Sequence, residues 1–552
     1  GRVPEYRAIE NAVRQRKTPV AVTGLASIHK ANILHTLLSA MSKKALFIAG
    51  DEAEATRMLE DLNAMGVTSA FYPLRDFSLR DTEGSSHEYE RQRIEALTLL
   101  QTGQCTCIVT TIDAALQYVL PPKKLKERTV KLSAGQEISV DEIVRALVRC
   151  GYVRADQIDG TGQFARRGGI VDFYSPGGKA PVRVEFWGDE IDSMGFFDTD
   201  TQRRAENIES FRVLPACESL VDPSRAGSIA KALLSRAARA ERREQTELAR
   251  RLRRDAELIS TGAPLPWSDR YLPELYSEYS TALDFIAPDA IVYIDAPNRC
   301  AEKAKDISDS LADDLKILRE GAFPVAETGD YLLPWKDACE KIADFAVVMA
   351  DAFSAGRYPL SPRSVLDTNV RQLPSYGGSA ETALADVQRY LENDFRVVVF
   401  ASDDRRADVL AAMLERNGIP PLRGFPNGAL PPEGRATVAV GALSAGLEAP
   451  EAHLAVLTDT QIAAGALRSR KRRRTMADRE KLGSCADLSV GDLVVHEHHG
   501  IGRFAGIFKL PVDGIEKDYI KICYAGSDSL YVPATQLDLV SKYIGGGEES
   551  FG

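Results

Sequence analysis

A multidomain α/β fold is predicted by three features of this sequence. Its 552 residues exceed what one hydrophobic core organises, because single cores stop growing near ~250–300 residues. Residues 18 to 120 alternate short apolar runs with amphipathic stretches, which is how a parallel sheet with helical crossovers reads. The last part, 485 to 552, is rich in Val, Ile, Tyr and Gly with period-two alternation and reads as a small β-barrel.

Taken in order, PVAVTG, KALFIAG, SAFYP and CTCIVTT are the strands of a first α/β part, 1 to 120, with ERQRIEALTLLQ as one of the intervening helices. From 121 to 220 the pattern changes: IVDFYSP and PVRVEFWGDEIDSMGFFD read as antiparallel strands joined by Pro/Gly turns, an α+β insertion. A densely charged helix over 229 to 254 opens the next part, 221 to 365, which returns to α/β character with AIVYIDAP and DFAVVMAD as buried strands. Its arginines and glutamates recur at three- and four-residue spacing, so a salt-bridged exposed helix is expected rather than a DNA track. A further small α/β unit, 366 to 463, has RVVVFAS, ATVAVGAL and HLAVLTD as strands and a helix closed by Gly418. Residues 464 to 484 carry RSRKRRRTMADREK and read as a basic, solvated linker, since like charge without apolar partners cannot bury itself.

The composition narrows the function. A formal net charge of −10 argues against a surface built throughout to hold nucleic acid. Eight cysteines, with only Cys105 and Cys107 close together, show no zinc spacing and read as reduced thiols in a cytoplasm. No stretch reaches the ~18 uninterrupted apolar residues of a membrane span. A cytoplasmic protein without membrane contact is expected. Gly1 and the ending GGGEESFG read as the ends of a fragment.

The most informative motif is a damaged one. VAVTGLASIHKANIL sits where a strand feeds a helix, the place of a phosphate-binding loop, GxxxxGK[ST]. Counting from Gly24 puts His29 at the second glycine and Ala31 at the hydroxyl position, leaving only Gly24 and Lys30. A side chain at 29 crowds the phosphate nest and Ala31 cannot ligate magnesium. No acidic signature follows an apolar strand in the first α/β part, so the metal-binding carboxylate is not evident. An NTPase-type fold without nucleotide chemistry, hence no catalytic residue and no metal or cofactor here, is the expectation.

FARRGGIVDFYSPGGKAPVRVEFWGDEIDSMGFFDTDTQR resembles the UvrA-binding stretch of UvrB, and more closely the matching domain of the bacterial transcription-repair coupling factors. LSVGDLVVHEHHGIGRFAGIFKLPVDGIEKDYIKICYAGSDSLYVPATQLDLVSKYIG looks like the RNA-polymerase-interacting domain that this family shares with CarD-type regulators. The resemblance implies a UvrB-like degenerate P-loop NTPase-type module over the first 365 residues and a Tudor/CarD-like barrel at the end. It implies two partners, UvrA and the RNA polymerase β subunit, and a longer protein whose ATP-driven DNA translocase uses ATP and Mg2+ and makes most of the DNA contact. A monomer is expected. Relative to UvrB, the nucleotide loop is degraded and the segment between FYPLRD and ERQRIEAL is too short for a DNA-clamping hairpin. A UvrB-like damage-verifying ATPase is thereby disfavoured. A CarD-like regulator would need a helical DNA-wedging domain that is not found after residue 545.

In PVRVEFWGD, alternation sends Arg183, Glu185 and Trp187 to one face and Val184 and Phe186 to the other. The apolar pair belongs in a core, leaving Arg183 and Trp187 exposed side by side, a combination enriched in interface hot spots. Family positions matching Arg167, Arg183 and Trp187 contact UvrA. In GRFAGIFKLP, Phe504, Gly506, Phe508 and Leu510 share one face of a long strand, and Pro511, lacking a donor, places it near a sheet edge. The family's barrel meets polymerase by strand addition, so the resemblance implies Phe508, Leu510 and Tyr531 as contacts. His496, His498 and His499 lack a fourth ligand and are read as supporting the turn before Gly500 rather than a metal.

Overall fold

The computed structural model describes residues 4–462 apart from breaks at 81–86, 200, 263–264, 266, 277, 279, 328, 354–356, 374–375, 377–378 and 426–430, and beyond them 479–481, 493–496, 500–512, 515–523, 529–533 and 540–543. The chain divides into two compact units, Gly1–Pro374 with Leu384–Asp459 and Ser375–Ala383 with Thr460–Gly552. No helix among the described residues is long and apolar enough to cross a membrane.

In the first unit a seven-stranded sheet runs in the order Ser364–Asp367, Val20–Thr23, Ala346–Ala350, Ile291–Asp295, Ala45–Ala49, Cys107–Thr111, Ser69–Tyr72. Every pairing is parallel. Strands from the two ends of the sequence interleave, so that Val20–Thr23 is flanked on both sides by strands from the later segment. Four of these strands are buried at every position, because helices cover both faces of a parallel sheet. Alternation then divides each strand between two cores: Leu46 and Ile48 go to one, Ala45, Phe47 and Ala49 to the other.

The insertion forms a six-stranded sheet ordered Arg204–Asn207, Glu190–Phe197, Val182–Trp187, Ile170–Phe173, Gln163–Arg167, Val153–Arg154. Its inner face, with Val171, Phe173, Val182, Val184, Ile191 and Met194, packs on the helix Val140–Arg149 through Ile143 and Leu147. A capping box between Ser139 and Glu142 starts that helix.

The charged helix expected over 229 to 254 is two helices, Pro223–Arg242 and Thr246–Thr261, joined at Glu244 with φ 61°. The break lets one apolar stripe, Ile229, Leu233, Ala237 and Ala240, and another, Ala249, Leu252, Ala256 and Ile259, share a core that a single straight helix could not close. Several arginines of the hairpin are ion-paired, among them Arg239 with Glu327 and Arg253 with Glu241.

A second sheet in the same unit is ordered Arg371–Gln372, Leu447–Ala449, Leu454–Thr458, Arg396–Ala401, Ala436–Val440, Leu422–Arg423. It packs against the helices Ser27–Met41 and Glu52–Ala64 of the first sheet. Ile28 lies with Val398, Leu447 and Val456 in one buried cluster, and Asp61 accepts hydrogen bonds from Ser444 N at 2.7 Å and Ser444 Oγ at 2.6 Å.

The C-terminal unit contains an antiparallel sheet ordered Arg479–Lys481, Val540–Tyr543, Leu493–His496, Gly500–Val512, Ile515–Cys523, Ser529–Pro533. Residues 479–481, read as part of the basic linker, instead pair with Val540–Tyr543. Backbone pairing with a ready strand is available even to Arg-Glu-Lys, which charge pattern alone does not reveal. His498 and His499 lie outside the described residues, and His496 ends the strand Leu493–His496.

Candidate functional site

At the damaged nucleotide loop, the strand Val20–Thr23 ends in Gly24, and the helix begins three residues later at Ser27. His29, Lys30 and Ala31 therefore stand inside the first turns of the helix, not on a loop able to wrap a phosphate. Gly24, at φ +78°, is pressed against the chain: a Cβ there would sit 2.8 Å from the carbonyl oxygen of Thr368. All three helical residues are buried, His29 at 1% and Lys30 at 7% exposure. Ile28 carries the second sheet on the helix start, so apolar side chains cover the end whose free N–H groups would otherwise attract an anion.

Lys30 Nζ donates to the Asp295 carboxylate, and both groups are buried. Burial pushes the Asp295 carboxyl upward while the Lys30 ammonium pulls it back down. Contrary to the expectation, the first α/β part does carry acidic residues just after a strand: Asp51 and Glu52 follow Ala45–Ala49, where Asp51 caps the helix Glu52–Ala64 by accepting from the Glu54 N–H. The carboxylate that meets Lys30 comes instead from 272 positions beyond the end of strand Val20–Thr23, at the end of IVYID.

That sequence-remote Asp295 is the residue missed by reading motifs locally. Its signal was an aspartate closing a wholly buried strand. Among the described residues no group of His, Cys, Asp and Glu is arranged to hold a metal ion.

On the inserted sheet, the register places Arg167 opposite Ile170, Ile170 opposite Glu185, and Asp172 opposite Arg183. Directly opposed residues of antiparallel strands point the same way, so Arg167, Arg183 and Trp187 share one face. Trp187 is 83% exposed. Arg167 is exposed too, and its Nη2 donates to the Asp156 carbonyl at 3.1 Å.

Arg183 departs from the expected exposed pair. Its Nε and Nη2 donate to the two oxygens of Asp172 at 2.8 and 2.9 Å, Nη1 donates to the Gln202 carbonyl at 3.1 Å, and its guanidinium lies over Phe197. Only 16% of the side chain is exposed. A cross-strand carboxylate in register holds it down, a partner that alternation along one strand cannot show.

In the C-terminal sheet, Gly500–Arg503 pairs with Leu493–His496, whereas Phe504–Val512 pairs only with Ile515–Cys523 among the described strands. The far half of this strand therefore has an open edge there. A bulge between Phe504 and Gly506 shifts the register, correcting the single face expected for Phe504, Gly506, Phe508 and Leu510. Phe504 falls opposite Ile522, in the register set that includes the buried Ile520, Ile522 and Val532. Gly506, Phe508 and Leu510 fall opposite Lys521, Tyr519 and Lys517, and Tyr531 also opposes Lys521. One extra residue exchanges the faces, and it places the three candidate contact positions in one register set.

Comparison with known proteins follows the same two regions. Residues 130–218 match the UvrB interaction domain, and residues 488–544 match the CarD-like/TRCF RID domain. The chain is 28% identical over 542 residues to the transcription-repair-coupling factor of Staphylococcus haemolyticus (strain JCSC1435), covering 96% of this chain and 46% of that protein. It is 26% identical over 553 residues to that of Bacillus subtilis (strain 168), covering 98% and 46%. With the Staphylococcus aureus (strain MRSA252) protein the identity is 27% over 537 residues, covering 95% and 45%. The chain thus spans about 46% of the length of the first of these curated relatives. With both domain types in this order and similarity along nearly its whole length, the chain resembles the transcription-repair-coupling factors.

Proposed function

We propose that this chain is the adaptor portion of a transcription-repair coupling protein, joining RNA polymerase to the excision-repair protein UvrA. The observation that carries this reading is the joint occurrence of the two domain types in one chain, each with a surface to offer: Trp187 on the inserted sheet and the edge of Phe504–Val512 that no strand among the described residues covers. UvrA is taken by the face of Arg167, Arg183 and Trp187. The polymerase β subunit adds a strand beside Phe508 and Leu510, with Tyr531 in the same register set, and the C-terminal sheet curls into a small barrel behind it. The nucleotide-loop region is a scaffold: Lys30 is engaged by Asp295 and the loop is three residues long. The whole protein adds an ATP-driven DNA translocase with its Mg2+ and most of the DNA contact, and acts as a cytoplasmic monomer.

Capture of each partner separately tests the reading. Trp187→Ala is expected to weaken UvrA binding by about thirty-fold, roughly 2 kcal/mol, as for an interface hot spot, with polymerase binding unchanged. Leu510→Arg, which sets a charge in the strand-addition edge, is expected to abolish polymerase capture and leave UvrA binding unchanged. Wild-type affinity for the named partner in either folded variant would remove that surface from the proposal.

A further inference from the structure

Neither surface uses a cleft of about 500 Å³ at the meeting of the Glu88–Thr102 helix, the base of the insertion and the Pro223–Thr261 hairpin. Its charge is unusual for a chain of net charge −10. Arg91, Arg128 and Arg149 all line it, and among the described residues none of the three is ion-paired with a carboxylate.

Arg91 is half-buried and its Nε is enclosed without a hydrogen-bond partner. Gly162 admits the guanidinium, for a Cβ there would sit 2.6 Å from Nη2. Arg128 is held by neutral groups, donating from Nη1 to the Arg149 carbonyl at 2.8 Å and from Nη2 to the Val221 carbonyl at 3.2 Å. Arg149 is exposed.

The carboxylates on the same walls do not neutralise them. Glu90 accepts from the Glu218 backbone N–H and pairs with His87. Asp269 takes two hydrogen bonds from Arg75, at 2.7 and 2.9 Å, and another from Ser219. Burial lowers the Arg91 pKa in spite of Glu90 nearby, so an anion delivered to the cleft would relieve an existing cost. The remaining lining is mixed: an apolar wall of Leu220, Ile259 and Leu265 stands beside the hydroxyl-bearing Ser260, Thr261 and Ser268.

We infer that this cleft is a binding site for a phosphorylated small molecule, its phosphates taken by Arg91, Arg128 and Arg149 and its organic body lying on the apolar wall. Planar guanidinium forks match phosphate oxygens, and three of them call for more than one negative charge. The volume is that of a small-ligand pocket, which commonly runs to about 300–1,000 Å³ and favours junctions between structural pieces. The inference stands independently of the two partner surfaces.

Isothermal titration of the whole chain with inorganic pyrophosphate and with ADP tests it. Both are expected to bind, ADP more tightly because of the apolar wall. Arg149→Ala, at an exposed position, and Arg91→Gln should each weaken both by about tenfold, the scale of one charge-assisted contact. Arg243→Ala, an exposed arginine outside the cleft lining, should change neither. No binding of either probe at millimolar concentration would overturn the inference. So would binding indifferent to Arg149→Ala in a variant of native circular dichroism, or uptake of an oligoglutamate peptide with neither phosphate probe bound.

Discussion

Arg183 and Trp187 stand on one sheet face yet differ in what their removal should do. Arg183→Ala strands the Asp172 carboxylate, whose side chain is only 5% exposed, and leaving such a group unsatisfied costs about 1–3 kcal/mol. Urea denaturation should show a lowered midpoint for Arg183→Ala and an unchanged one for Trp187→Ala; coincident curves would mean that the Asp172 clamp contributes nothing. Lys30 offers the parallel case in the interior. Lys30→Ala isolates a buried Asp295 and is expected to destabilise by about 3–5 kcal/mol, whereas Lys30→Met with Asp295→Leu should recover most of that, since buried pairs are replaceable by apolar groups of similar size. Thermal melts of the three proteins decide it, and a double variant no better than Lys30→Ala would show that the pair is not acting as a unit.

Between the two sheets of the first unit, the joint includes the apolar cluster at Ile28, Ala449 in the core of the first sheet, and the Asp61–Ser444 hydrogen bonds. Burial holds the Asp61 carboxyl above the usual carboxylate range, more than the two bonds from Ser444 pull it down. A carboxyl with a raised folded-state pKa favours folding in its protonated form. Its contribution is therefore fully present below the unfolded pKa and is lost as pH rises through the raised value. Asp61→Asn keeps an acceptor and removes the charge. It is expected to raise the melting temperature at pH 7 and to lose that advantage by about pH 4, where an ordinary carboxylate is itself half protonated. An advantage independent of pH would refute this account of the joint. Elements elsewhere were only partly legible. Wholly buried strands such as ALFIA and IVYID announce themselves by unbroken apolar runs, but the turn at Glu244 and the bulge after Phe504 each hang on one residue's backbone.

For the molecule as a whole, the short loop and the engaged Lys30 lead to the expectation that this chain does not hydrolyse ATP. Magnesium-dependent phosphate release by the purified chain, abolished by Asp295→Ala, would contradict it. How far this could be read in advance follows from the range of each cause. The missing second glycine and hydroxyl, the alternation that puts Val184 inside and Trp187 outside, and the two motif regions are local, and local pattern is carried by neighbouring residues. Partners far apart in sequence are another matter. Asp295 reaches Lys30 because strands from two distant segments interleave in one sheet, Asp172 reaches Arg183 by cross-strand register, and three arginines from separate segments meet at one cleft. The amino-acid sequence by itself determined which elements form and which faces are apolar, since propensity and periodicity act over a few residues. Local pairs such as Arg250 and Arg251 with Glu247 follow from helical spacing, but the tertiary structure alone decided which charges far apart along the chain are paired and which are left available, because such an ion pair depends on where two separate elements come to rest.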